Sequence, residues 1–143
     1  MRISEKAKYG VKAVLDLTMH APEDRGARSA EVARRTGVPE KFLETILRDL
    51  REAGLISSKR GPDGGHWLAR DPARVTVAAV LEAIDGPLSV APARNRGALS
   101  PEEVCIRSLW ARVEVAVHGV LGDTTLDDLR RQASAPDALD YSI

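Results

Sequence analysis

Residues 57–70 read SSKRGPDGGHWLAR. Lys59 and Arg60 stand together at the base of Gly61-Pro62-Asp63-Gly64-Gly65, and His66-Trp67 follow at once. Three glycines and a proline in five residues dictate a sharp reversal of the chain. A reversal needs no charge, so two cations at its base imply a negative partner. A nucleotide-binding P-loop is excluded, because no Gly-Lys-Ser/Thr closes the stretch and no helix pattern begins there. What remains is charge pairing and hydrogen bonding to a polyanion, with a solvated hairpin as the plain alternative.

A second set of polar residues lies upstream. Over residues 40–53, Leu43, Ile46, Leu47 and Leu50 recur at helical spacing and define an apolar stripe. The opposite face carries Lys41, Glu44, Thr45 and Arg48. Glutamate accepts from cytosine N4, threonine bonds to several base edges, and lysine and arginine meet phosphates or guanine. The expectation is base readout by Glu44 and Thr45 and a phosphate clamp at Arg48; the alternative is a solvated face. Ser29, the expected N-cap of the preceding helix, joins Lys41, Lys59, Arg60 and Gly61 as a candidate DNA contact.

The elements that must position these residues follow from periodicity and punctuation. Ser4 caps a first helix with Ala7, Val11, Val14, Leu15 and Thr18 on one face. PEDRGAR (22–28) is a loop. A short helix runs to Thr36, and Gly37 suits its left-handed C-terminal position. Pro39 opens the third helix and Gly54 closes it. Short strands at 55–59 and 66–69 flank the glycine turn as a hairpin. Thr76 caps a fourth helix with Val77, Val80, Leu81 and Ile84 inward, stopped at Gly86-Pro87. Residues 88–99 lack periodicity and read as a mobile loop. Ser100-Pro101-Glu102-Glu103 is a capping box that opens a long helix to about Leu121, ended by Gly122. Thr125 caps a last helix around 126–132, and the tail from 134 frays.

On the long helix Ile106, Trp110, Val113, Val117 and Val120 are spaced 4, 3, 4 and 3 apart, a heptad-like seam. Such a helix after a loop on a small domain is expected to pair with a second copy, with Trp110 buried; packing against the first helices is the alternative. Cys105 lies one step from the seam, either as a small apolar residue or as a redox-responsive thiol near a helix N-terminus.

Composition sets the limits. The 143 residues are 43% hydrophobic but only 3% aromatic, so the core is aliphatic. The net charge is zero, yet residues 1–70 hold 14 Lys and Arg against 10 Asp and Glu, and residues 71–143 hold 7 against 11. A basic first half suits a polyanionic partner. No apolar run is long enough for a membrane span, the charged start is no signal peptide, and one cysteine allows no internal disulfide. A cytoplasmic protein is expected. His20, His66 and His118 are scattered, no nucleophile–base set is spaced for catalysis, and no metal site or enzymatic activity is expected. His66 is expected to stack or hydrogen-bond within the hairpin.

Three helices, a tight turn at Gly37 and a glycine-turned hairpin give the order of a winged helix–turn–helix. The fold class is mainly α with a small β-hairpin wing. The expected division is a DNA-binding domain over 1–87, a mobile effector loop over 88–100, a dimerisation helix with a short capping helix over 101–133, and a tail over 134–143. The same fold could instead dock a protein partner; the near-neutral pI of 6.8 favours that alternative, and salt dependence separates the two.

The stretches ISEKAKYGVKAVLDL, FLETILRDLREAGLISS, KRGPDGGHWLARDP and TVAAVLEAIDGPL together resemble the Rrf-two family of small bacterial transcription regulators. The resemblance is strong over residues 2–87 and looser along the long helix. It implies a homodimer that binds a palindromic double-stranded operator, commonly as a repressor. The third helix would enter the major groove, Arg60 would reach into the minor groove, and Lys59 would meet a phosphate. Iron–sulfur members of the family place three cysteines before the long helix; here the stretch is LSVAPARNRGALSPEEVC, with Cys105 alone. A cluster takes about four ligating side chains. No iron–sulfur cofactor is therefore expected, and the signal would be a small-molecule effector or a change at the Cys105 thiol.

Overall fold

The computed structural model of the chain describes residues 2–20, 25–89 and 97–135. Six helices and one hairpin follow in order: α1 (Glu5–His20), α2 (Ser29–Thr36), α3 (Glu40–Glu52), β1 (Ile56–Lys59), β2 (Gly65–Leu68), α4 (Val77–Asp85), α5 (Pro101–Asp123) and α6 (Leu126–Ser134). A single 3-10 turn at Pro72–Arg74, which periodicity does not announce, joins β2 to α4; the Asp71 side chain caps it by accepting from the Ala73 N–H. Residues 90–96 of the expected mobile loop, 136–143 of the expected frayed tail and part of the 22–28 loop lie outside the described residues.

The core forms where the apolar stripes of α1, α2, α3 and α4 meet. Val14, Leu17, Val32, Leu43, Ile46, Leu50, Val75 and Val80 are fully buried. Leu126 of α6 is buried among them. The chain therefore returns after α5 to complete the core under α1. That return is fixed by backbone pairing: Val77 N–H donates to the Thr124 carbonyl at 2.9 Å, and Leu126 N–H to the Val75 carbonyl at 2.9 Å. A second cluster of Ala7, Val77, Leu81 and Leu88 receives Leu121 and Leu129.

The helix ends obey the local chemistry with two corrections. Ser4 caps α1 by accepting from the Ala7 N–H at 3.0 Å, and Thr76, Ser100 and Thr125 cap α4, α5 and α6 in the same way. Ser29, expected as the N-cap of α2, is instead its first helical residue; Arg28 occupies the cap position in extended backbone. The Glu31 carboxylate reaches back and accepts from the Arg28 N–H at 3.1 Å, which satisfies the helix start without a capping hydroxyl. Gly122, expected to end α5, lies inside it, and the helix runs on to Asp123. An interior glycine costs about 1 kcal/mol. Packing of the half-buried Leu121 beside it and the Thr124–Val77 pairing hold the last turn in place.

A chain of charges ties α1 to α2. Asp16, 7% exposed, receives a fork of bonds from Arg35 at 2.8–3.3 Å. Arg35 also approaches Glu31 at 3.9 Å, and Glu31 is held by Arg25. The Arg25 hydrogen bond and the Arg28 backbone N–H draw the Glu31 carboxyl from 4.5 down to about 2. A carboxyl depressed in the folded state contributes stability above its unfolded pKa and loses it as pH falls through the folded value. The stability difference between wild type and Glu31→Gln, read by urea unfolding, is thus expected to be full above pH about 4.5 and to shrink towards pH about 2. A difference that stays constant over that range would show that Glu31 contributes no charged interaction.

Candidate nucleic-acid interface

The hairpin pairs Ile56 with Leu68, Ser57 with Trp67, Ser58 with His66 and Lys59 with Gly65. The backbone turns through Gly61 at φ 106° and enters β2 through Gly65 at φ 136°, conformations open to glycine and closed to most side chains. Gly64 is fixed by space instead: a Cβ there would lie 2.2 Å from the Lys59 carbonyl oxygen. Each of the three glycines thus has a steric reason. Lys59, Arg60 and Gly61 are all exposed at the base of this turn.

The wing is docked on the segment before α2. Ala27 and His66 exchange two backbone hydrogen bonds, at 3.0 and 2.9 Å. Gly26 presses on the Gly65 backbone so closely that a Cβ on it would sit 2.4 Å from the Gly65 carbonyl carbon. The Arg28 guanidinium donates to the Pro62 carbonyl at the wing tip. His66 completes the attachment through its side chain: Nε2 is 3.0 Å from the Ser29 hydroxyl and Nδ1 is 2.6 Å from the Ser58 hydroxyl. Burial, then the nearby Arg51 charge, push the imidazole below its usual pKa of 6.5, while Glu44 pulls it back up. His66 therefore hydrogen-bonds, as expected of it.

On α3 the apolar stripe is buried and the other face is open. Lys41, Glu44 and Arg48 are exposed. Thr45 is half-buried, and its hydroxyl bonds back to the Lys41 carbonyl at 3.4 Å. Phe42 leaves this face to meet the Tyr9 ring at 5.9 Å, with the Lys41 ammonium over it. Glu44 turns towards the wing. Together with Arg51, Ser58, Lys59, Arg60 and His66 it lines an open cleft of about 540 Å³ between α3 and the hairpin. Of the expected contacts, the structure brings Glu44, Lys59 and Arg60 into one site. Ser29 borders it through its bond to His66.

Arg28, Arg51, Ser58 and the two-sided bonding of His66 were not picked out from the sequence. Arg51 follows Glu44 by seven residues, two helical turns, so it shares the wing-facing flank; that spacing was readable. The Arg28–Pro62 contact spans 34 positions and leaves no local pattern.

The long helix presents a different surface. None of its residues is buried. In the single chain Trp110 is 40% exposed; Ile106 and Val120 are 50% and 67% exposed, and Val113 and Val117 are half-buried. Val104, Leu109 and Val115 are also exposed, so apolar surface extends beyond the seam. The seam faces outward because Leu126, not α5, fills the space beneath α1. Cys105 is exposed near the start of the helix.

Comparison with known proteins agrees with this architecture. Residues 3–132 match the family model described as "Rrf2: Iron-dependent Transcriptional regulator". The chain belongs to the Rrf2 family. It is 36% identical to an rrf2-like HTH-type transcriptional regulator of Rhodobacter capsulatus, over 89% of this chain and 91% of that protein. It is 34% identical to the HTH-type transcriptional regulator CymR of Bacillus subtilis, over 90% and 89%. Among solved structures, CymR, described as the global cysteine regulator of B. subtilis, superposes with a TM-score of 0.77 at 33% identity, covering 92% of this chain and 97% of that one. IscR of T. potens superposes with a TM-score of 0.79 at 31% identity, covering 98% and 93%. The fold is thus the winged helix of this family, and the chain is a DNA-binding transcription regulator rather than an enzyme.

The Gly26–Gly65 contact offers a test of the wing attachment. Gly26→Ala is expected to force the two backbones apart, raise amide exchange at Ala27 and His66, and leave the α1–α3 core intact. Unchanged exchange at both amides would show that the close approach is not needed.

Proposed function

We propose that two copies of the chain, joined along α5, bind a palindromic double-stranded DNA operator and repress transcription from it. The observation that carries this reading is the cleft in which α3 and the wing present Glu44, Arg51, Lys59 and Arg60 together. Cations on two elements around one open groove fit a sugar–phosphate strand that passes between a recognition helix and a wing. In this arrangement α3 enters the major groove. Glu44 and Thr45 read base edges, Lys41 and Arg48 hold the backbone, Lys59 meets a phosphate, and Arg60 reaches the minor groove. Gly61 lets the main chain approach.

The second support is the apolar face of α5. Ile106, Trp110, Val113, Val117 and Val120 would form a large exposed patch on a monomer, which soluble single chains rarely carry. A partner helix would cover it and hold two wings at the half-site spacing of a two-fold operator. Cytoplasmic action fits this role, and no helix among the described residues is long and apolar enough to cross a membrane. The family description speaks of iron. The donors here do not fit an iron–sulfur cluster: Cys105 is the one thiol, Glu102 and Glu103 are hard oxygen donors, and Glu103 is engaged in the α5 cap. The proposed regulator works without a cluster, and its signal acts at residues 88–100 or on Cys105.

Selection of bound duplexes from a random pool is expected to return a two-fold symmetric consensus. On such a duplex, Arg60→Ala should weaken binding by about 1–3 kcal/mol and relax the preference for A·T pairs beside the half-site. Lys59→Ala should weaken all duplexes alike and lower the salt slope by about one unit. Binding that ignores ionic strength would favour a protein-docking module instead.

Sedimentation at micromolar protein should give about twice the chain mass. Ile106→Asp, at a site already exposed in the single chain, should yield folded monomers that no longer hold both half-sites. A monomeric wild type that still protects a full palindrome would contradict the dimer.

A further inference from the structure

His66 is the one residue of the cleft that can change its charge near neutral pH. It links three elements at once. Its ring joins the first residue of α2, Ser29, to β1 at Ser58, and its backbone carries both bonds to Ala27. The ring also lines the cleft beside Arg51, Lys59 and Arg60. We propose that His66 is a proton-linked member of the DNA interface: a phosphate entering the cleft draws a proton onto the imidazole, so that DNA binding takes up a proton and tightens as pH falls. This inference rests on the DNA-binding reading above.

The charged groups around the ring decide its state. From α3, Arg51 disfavours the imidazolium and Glu44 favours it. From β1 and the turn, Lys59 and Arg60 add positive charge at the same cleft. From the start of α2 comes the neutral Ser29 hydroxyl, with the Arg28 guanidinium held away on the Pro62 carbonyl. In the free chain, burial first and the Arg51 charge second outweigh Glu44, so the neutral ring prevails. One nitrogen then donates to a hydroxyl and the other accepts from one. Protonation does not break this arrangement. A serine hydroxyl can accept as well as donate, and both ring nitrogens can donate to Ser29 and Ser58 once each hydroxyl rotates.

A bound phosphodiester changes the balance. It neutralises Arg51, the cation that opposes a charge on the ring, meets Lys59 and Arg60 at the same cleft, and adds a negative charge of its own. It also dehydrates the cleft, which acts the other way. Both ring nitrogens already bond to serine hydroxyls rather than to open water, so dehydration of the cleft removes little from them and the Coulombic gain exceeds the loss. The sign follows. A pKa raised by the ligand means affinity is constant above the bound value, rises as pH falls between bound and free values, and levels off below the free one.

The test is a fluorescence-anisotropy titration of the duplex recovered by selection, at fixed ionic strength from pH about 8 to about 5.5. Affinity is expected to rise on acidification, by about tenfold per subunit for each unit by which DNA raises the His66 pKa. His66→Gln, whose amide keeps a donor and an acceptor between the serines, should bind with a flat profile over the same range. His20→Gln and His118→Gln should retain the wild-type slope. Because His66→Gln could disturb the wing, an imidazole NMR titration of the wild type supplies a second reading: the His66 midpoint should move up on adding the duplex. A flat or inverted wild-type profile, the same slope in His66→Gln, or an imidazole midpoint that stays or falls would each overturn the proposal. Failure to bind any duplex at any pH would instead remove the DNA-binding reading on which it rests.

Discussion

Two backbone hydrogen bonds between Ala27 and His66 join the wing to the helix–turn–helix, and the geometry of the candidate interface depends on them. A two-stranded hairpin alone is marginal in water. Here it gains a third extended neighbour, a glycine-on-glycine contact that admits no side chain, and an arginine reaching across to its tip. The hairpin's position relative to α3 is thereby set by main-chain groups, which have far less freedom than long side chains. Lys59 and Arg60 project from a fixed base, and the width of the cleft is a property of the backbone.

The same economy appears at the other end of the molecule. No residue of α5 is fully buried, yet its C-terminal part is secured to the rest of the fold. Leu88 is held by His118, whose Nε2 lies 2.8 Å from the Leu88 carbonyl, and the last turn is locked by the Thr124 and Leu126 pairings. Ahead of these anchors the helix keeps an apolar surface that the described residues do not cover. Different residues of this region face inward and outward: Leu121 and Leu126 pack against the core, while Ile106 and Trp110 stay exposed.

Local chemistry was the most legible part of the sequence. Capping hydroxyls at Ser4, Thr76, Ser100 and Thr125 and the apolar stripe of α3 follow from rules that act within one or two helical turns, and the structure realises each of them. The wing was legible because glycine and proline encode turns directly. The misreading of Ser29 has a definite origin. A serine before a helical run is a good cap, but Glu31 supplied the acceptor from within the helix and left the Ser29 hydroxyl to His66. The seam that holds Trp110 was legible as an apolar face. A heptad seam reports that a face will be covered and is silent on whether its cover comes from the same chain. Of the cleft, the charges were visible and the hydrogen bonds that span dozens of residues were not.

Leu126 bears on how the protein comes to be made. It sits at no measurable exposure in the core formed by α1, α2 and α3, more than a hundred residues from the helix it supports. During synthesis the first three helices leave the ribosome long before it. Until it arrives, their core lacks a leucine that is fully buried in the folded chain. Folding to the native packing is therefore a late event, completed after α5 with its apolar surface is already present.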